Sequence, residues 1–192
     1  MCVFQRGKIT PCGYTCCYTA PNMWSFFTEQ GARLEQITTA SGVVGVTTFP
    51  WRFQRWRGVP IADTYGGKAV LDCEGIPCLA ELALIPVLKQ HGFEGAVWVD
   101  GYRRCFRDAM PPAICDLPAM ARMLHDRIAT TNDSRGGCWD VLAWNRDGIA
   151  FVECKRKGKD RMRANGVKWL ESGLKTGIPL ERFAICEWEL AE

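Results

Sequence analysis

Between Gly136 and Trp169 the chain reads GGCWDVLAWNRDGIAFVECKRKGKDRMRANGVKW, and this stretch limits the fold more than any other. The pattern predicts a strand over Cys138 to Trp144, a turn at Asn145-Arg146-Asp147-Gly148, a strand over Ile149 to Lys155, and a basic helix from Asp160 to Ser172. Aspartate-glycine between two apolar runs marks a hairpin, because glycine tolerates the positive φ that a tight turn demands. With a two-residue loop, Asp140 stands opposite Glu153 or Lys155, and side-chain alternation sends all three to one face. Two carboxylates and an ammonium are costly to bury there unless they pair or hold a cation.

Asp140 and Glu153 are hard oxygen ligands of the kind that bind Mg²⁺ or Mn²⁺ while leaving coordination positions to water and substrate. Lys155, two residues beyond Glu153, is placed to reach a bound water or a phosphate oxygen. The stretch from Lys155 to Lys168 holds Arg156, Lys157, Lys159, Arg161 and Arg163 against a single acid, Asp160. The whole chain is only +3, so this excess is local, as a footprint for a phosphate backbone should be.

Asp140 followed by Glu153-Cys154-Lys155 resembles the signature of the PD-(D/E)XK nucleases. The Gly-Gly-x-x-Asp that precedes it, the hairpin, and the spacing to Asp160 and Trp169 are similar to the VRR-NUC branch of that superfamily, the virus-type replication and repair nucleases. The resemblance covers roughly residues 74 to 188. It implies an α-β-β-β-α-β core, a mixed α/β (α+β) sheet flanked by helices. It also implies a metal held by Asp140, Glu153 and the backbone carbonyl of Cys154, with Glu81 contributing from the first core helix, and a catalytic role for Lys155. Two positions depart from the family: Cys138-Trp139 stands where a proline is common, and Gly166 where a glutamine is usual. On the expectation that a glutamine would restore a polar ligand and a better helix former, Gly166→Gln should raise both stability and cleavage rate.

At 192 residues, 47% apolar and 23% charged, the chain suits one well-cored domain with an appended segment. Residues 1–72 read as an N-terminal extension and 73–192 as the nuclease-like domain. No apolar run is long enough to cross a membrane and no leader pattern opens the sequence, which points to a cytoplasmic protein, or to export by another route. The eleven cysteines are odd in number and scattered, which favours a reduced thiol set. Cys12, Cys16, Cys17, Cys73 and Cys78 offer a zinc alternative with poor spacing.

Within the first segment, Trp51-Arg52-Phe53-Gln54-Arg55-Trp56-Arg57 reads as a strand with inward rings rather than a base-stacking surface. Gly66-Gly67-Lys68 lacks the spacing of a phosphate loop and reads as a turn. Pro77 is expected in the first turn of a helix whose Leu79, Leu82, Ile85 and Leu88 recur at helical spacing up to Gly92. Gly95 to Asp100 is expected as a core strand, residues 116–130 as a helical insertion, and Arg182 to Trp188 as the last strand. His91 and His125 receive no functional role.

These features together predict a metal-dependent DNA endonuclease, with two settings implied by the family. One is an antibacterial effector toxin opposed by an immunity protein; the other is a DNA repair or phage replication nuclease. The alternative is a catalytically weakened nucleic-acid-binding module, for which Gly166 speaks.

Overall fold

The computed structural model describes residues 26–29, 31–109 and 114–191. Cys12, Cys16 and Cys17, and with them most of the zinc alternative, lie outside the described residues. The chain is mixed α/β: ten strands in one mixed sheet and four α-helices among the described residues.

In chain order the elements are α1 (Phe26–Glu29), β1 (Arg33–Thr39), β2 (Gly42–Arg55), β3 (Leu71–Cys73), β4 (Ile76–Cys78) and α2 (Ala80–Gln90). Next come β5 (Gly95–Asp100), β6 (Cys105–Arg107), β7 (Ile114–Cys115) and α3 (Ala119–Thr131). The chain continues with β8 (Val141–Asn145), β9 (Gly148–Arg156), α4 (Ala164–Lys175) and β10 (Phe183–Leu190). The sheet runs β4-β3-β2-β10-β9-β8-β5-β6-β7, with β1 paired to β2. β10 lies parallel to both β2 and β9, and the other pairings are antiparallel.

The β8–β9 hairpin forms as the Asp-Gly signal predicts, with Asn145 paired to Gly148 around a two-residue loop. Gly148 has φ +134°, a conformation that residues with a Cβ rarely adopt. The same register, continued past Val141↔Val152, sets Asp140 opposite Glu153. Alternation then divides the hairpin. Val141, Ala143, Ala150 and Val152 face the core under α1 and α2, while Leu142, Ile149 and Phe151 face the core under α3 and α4. Both sets are buried, so the strands are apolar on both faces and only their open end is free for chemistry.

Several boundaries differ from the sequence reading. Pro77 is in β4, not in a helix: Glu74 and Gly75 both take positive φ, and the Gly75 N–H bonds the Asp72 carboxylate at 2.7 Å, closing a tight β3–β4 hairpin. The helix starts only at Ala80. The basic helix starts at Ala164 rather than Asp160, because Asp160 accepts the Arg156 N–H at 2.9 Å and turns the chain out of β9. The inserted helix runs Ala119–Thr131. Within the first segment, β2 pairs along β10 from Thr47 to Phe53. In β2, Phe53 is buried against Trp188 while Arg52 extends outward to Glu189, at 2.9 Å, as the inward-ring reading expects.

Candidate active site

The open end of the hairpin forms one wall of a groove of about 1020 Å³. Asp140, Glu153, Cys154 and Lys155 line it, joined by Glu81 from α2, Lys68 from the turn at residues 65–67, and Gly136-Gly137. Gly137, at φ +84°, lies so close to α4 that a Cβ would meet the Asn165 carbonyl oxygen at 2.3 Å. That close approach brings the first turn of α4 to the rim.

Asp140 is fixed by main-chain contacts. Its Oδ2 accepts the Cys154 N–H at 2.9 Å, and its own N–H donates to Glu153 Oε2 at 3.2 Å. In an extended strand a residue's N–H and C=O point to the same side, so the Cys154 carbonyl faces the groove with its N–H. The Cys154 thiol does not serve here: a hydrogen bond with Cys186 and burial push it well up, and it stays protonated. Lys155 donates to Glu153 Oε1 at 2.5 Å. Glu81 is 5% exposed; its Oε1 is bound by Lys68, while its Oε2 is buried with no hydrogen-bond partner.

The electrostatics follow from this crowding. Burial, and then the charges of Glu153 and Glu81, push the Asp140 carboxyl well above the ordinary carboxylate range, against the pull of Lys68 and the Cys154 N–H. Burial also raises Glu153, outweighing Lys155. For Lys155, burial lowers the pKa, but the Glu153 charge and hydrogen bond prevail and it is raised overall. Lys68 follows the same balance, with Glu81 as its main support.

Among the described residues, no three His, Cys, Asp or Glu side chains already stand grouped as a metal-ligand set. Two of the three carboxylates are occupied by lysines instead. The donors nevertheless fit a hard divalent ion in kind: all are oxygens, one buried carboxylate oxygen is orphaned, and the Asp140 charge is poorly compensated.

Of the expected phosphate-gripping residues, Arg156, Lys159, Arg161 and Arg163 line the groove. Lys157 turns away to pair with Glu189 at 3.1 Å, and Lys168 is exposed outside the groove lining. Gly166 is buried in the first turn of α4 and also lines the groove. Its carbonyl accepts the Trp139 indole N–H at 3.0 Å, and a Cβ would meet Met162 Sδ at 2.9 Å. The tight neighbour of a Cβ there is thus the flexible end of Met162, and the Trp139 bond to the main-chain carbonyl is open to any residue. Trp169 is fully buried against Phe151, so the similarity there serves the core.

Asp100 is not in the cleft: it is buried in an ion pair with Arg107 at 2.9 Å. His91 stacks on Phe26, and His125 is buried between Phe106 and Trp169 with its pKa lowered by that burial. The seven described cysteines are free, and no described helix is long and apolar enough to cross a membrane. Lys68 is the residue that sequence reading passed over. The available signal was Glu81 itself: a carboxylate on an apolar helix needs a cation, and a lysine precedes it by 13 positions. Neither protein-family models, nor curated proteins, nor solved structures yield a match to this chain.

Proposed function

We propose that this chain is a metal-dependent endonuclease of VRR-NUC type, hydrolysing phosphodiester bonds in DNA. The observation that carries this reading is the pairing of Asp140 with Glu153 at the open end of a hairpin, with Lys155 on Glu153 and a basic groove wall alongside. The order α2-β5-β8-β9-α4-β10, with β6, β7 and α3 inserted, supports a PD-(D/E)XK core. Asp140, Glu153 and the Cys154 carbonyl would hold Mg²⁺ or Mn²⁺, with Glu81 adding its unpaired oxygen. When bound, the ion supplies a Lewis acid at the phosphate and an acidified water.

The chain's own residues do the rest. Lys155 is held as an ammonium by Glu153, so it acts as a donor: it orients the attacking water and offsets charge growing on the phosphate oxygens. Glu153 in turn fixes that ammonium in place. Arg156, Lys159, Arg161 and Arg163 bind the flanking phosphates and hold the scissile bond in register. Attack by the water oxygen on phosphorus breaks one P–O ester bond and leaves a phosphate monoester and a hydroxyl.

The test is supercoiled plasmid incubated with purified protein in Mg²⁺, in Mn²⁺ and in EDTA. Nicking with either ion and none in EDTA is the expected result; intact plasmid in both ions overturns it. Plasmid retarded on a gel but uncut selects the binding-module reading, whose support is Gly166 standing where the resembling family has glutamine. For the biological setting we place the effector toxin first, with an immunity protein as its partner, and a repair or phage replication nuclease second. Expression in a bacterial cytoplasm without that partner should slow growth and fragment the chromosome.

A further inference from the structure

The groove contains one cation that the nuclease reading does not use. Lys68 leaves a turn in which Tyr65, Gly66 and Gly67 all have positive φ, and its ammonium reaches across to Glu81 Oε1. On the way it lies 5.0 Å from the centre of the Trp98 ring. Its side chain keeps 37% of its exposure, whereas that of Glu81 keeps 7%, so the lysine is partly open to solvent while its carboxylate partner is buried. Its charge is also felt by Asp140. Three carboxylates, Glu81, Asp140 and Glu153, thus share two ammoniums: Lys68 is on Glu81, Lys155 is on Glu153, and Asp140 has no lysine of its own.

We propose that Lys68 is the internal counter-ion of this carboxylate cluster: it holds Glu81 in the metal-free protein and gives it up when a divalent cation enters. This rests on reading the carboxylates as a cation site. Lys68 and the ion compete for Glu81, since an oxygen that donates a lone pair to an ammonium proton is poorly available to a metal. The orphaned Glu81 Oε2 is the foothold from which the ion enters. Lys155 is not the competitor for Glu81, because it bonds Glu153 instead. Lys68 sits on a turn at which Gly66 and Gly67 have open space around them. Lys68 lines the same groove as Arg156, Lys159, Arg161 and Arg163, so its release from Glu81 on metal binding frees a further positive charge in that groove.

The experiment uses the full chain stripped of metal, titrated with Mn²⁺, with free Mn²⁺ followed by its paramagnetic resonance signal and thermal melting read in parallel. Lys68→Met removes the charge and keeps the bulk; Lys68→Arg keeps the charge; Asp140→Asn marks the site. Lys68→Met should bind Mn²⁺ about tenfold more tightly than wild type, the scale of one charge-assisted hydrogen bond. It should also melt lower without metal and gain more on adding Mn²⁺, while Lys68→Arg stays near wild type. Should Lys68→Met not fold, Lys68→Gln, which also removes the charge and is shorter and polar, carries the same comparison. Equal Mn²⁺ affinity in wild type and the neutral variant overturns the inference and leaves the cation site standing. Weaker binding by the neutral variant also overturns it, since Lys68 would then be positioning Glu81 for the metal. Wild-type protein that binds no Mn²⁺, or binds it unchanged in Asp140→Asn, overturns the site reading itself.

Discussion

At the turn end of the β8–β9 hairpin, polar groups are met one by one by the protein. The buried Asn145 side chain accepts the Asp147 N–H at 2.8 Å, the Arg182 guanidinium donates to the Asp147 carbonyl at 2.8 Å, and Glu94 accepts the Arg146 N–H at 3.2 Å. At the open end the same two strands deliver Asp140 and Glu153 to a place where carboxylates outnumber their cations and one buried oxygen has no partner. Buried polar groups normally find partners, because leaving one without costs about 1–3 kcal/mol. The turn end therefore reads as structure. The open end reads as a site whose missing partner is a ligand.

The comparison breaks if the two ends fail to separate stability from activity. The largest effect belongs to the open end: Lys155→Ala or Glu153→Ala should lower plasmid nicking by about 10²–10³-fold, as loss of a positioned charge-stabilising donor or of the group that fixes it does, with the melting transition retained. Wild-type nicking by either folded variant would move the chemistry elsewhere. Next comes the turn end, where Gly148→Ala meets Arg182 Nη1 at 2.2 Å and a φ of +134°. It should cost about 1–3 kcal/mol in urea unfolding and leave nicking per folded molecule unchanged.

A smaller effect has the opposite sign. Folding raises the Asp140 carboxyl, chiefly by burial, so the folded state binds a proton that the unfolded chain releases above its ordinary value of 3.8. Stability is therefore lost as pH rises from that value to the folded one, and the loss persists above it. Asp140→Asn keeps an acceptor for the Cys154 N–H and carries no charge. In EDTA at neutral pH it should be about 1 kcal/mol more stable than wild type, a usual return for relieving a functional group. That gap should close as the pH falls through the carboxylate range; a gap constant with pH would assign the gain to packing.

The smallest effect lies where the first turn of α4 meets the groove. Gly166→Gln gains helix propensity of at most about 1 kcal/mol, and Met162 must swing aside to admit the new Cβ. Melting should shift by less than that amount. A gain in nicking would still give the glutamine a role; a drop of several kcal/mol would mean Met162 cannot move.

How far the sequence carried depends on the range of the interactions. The hairpin, its register and the Asp140–Glu153–Lys155 face were legible because Asp147-Gly148 and strict alternation are local signals. The start of α4 was misplaced because Asp160 serves a turn, and a capping-type aspartate looks the same in either role. The bond between the Gly166 carbonyl and the Trp139 indole was hidden because Trp139 lies 27 residues away. Lys68 was hidden for the same reason: a Gly-Gly-Lys turn has no local mark showing that its lysine closes on a helix across the groove. The place of β2 beside β10 could not be read at all, since parallel pairing leaves no short-range pattern.

That parallel pairing has a consequence for how the molecule comes into being. β10 lies between β2 and β9, and the Arg52–Glu189 contact along its length closes a loop of 137 positions. Such distant pairings make a sheet slow to assemble, because the entropy of closing the loop is lost before any contact repays it. Until β10 docks, β9 has one hydrogen-bonding edge uncovered, and Glu153 and Lys155 sit on a strand without its final support. The chemistry of the groove is thus gated by topology: a partly folded chain, however well its hairpin has formed, has no finished wall on which to hold a phosphate.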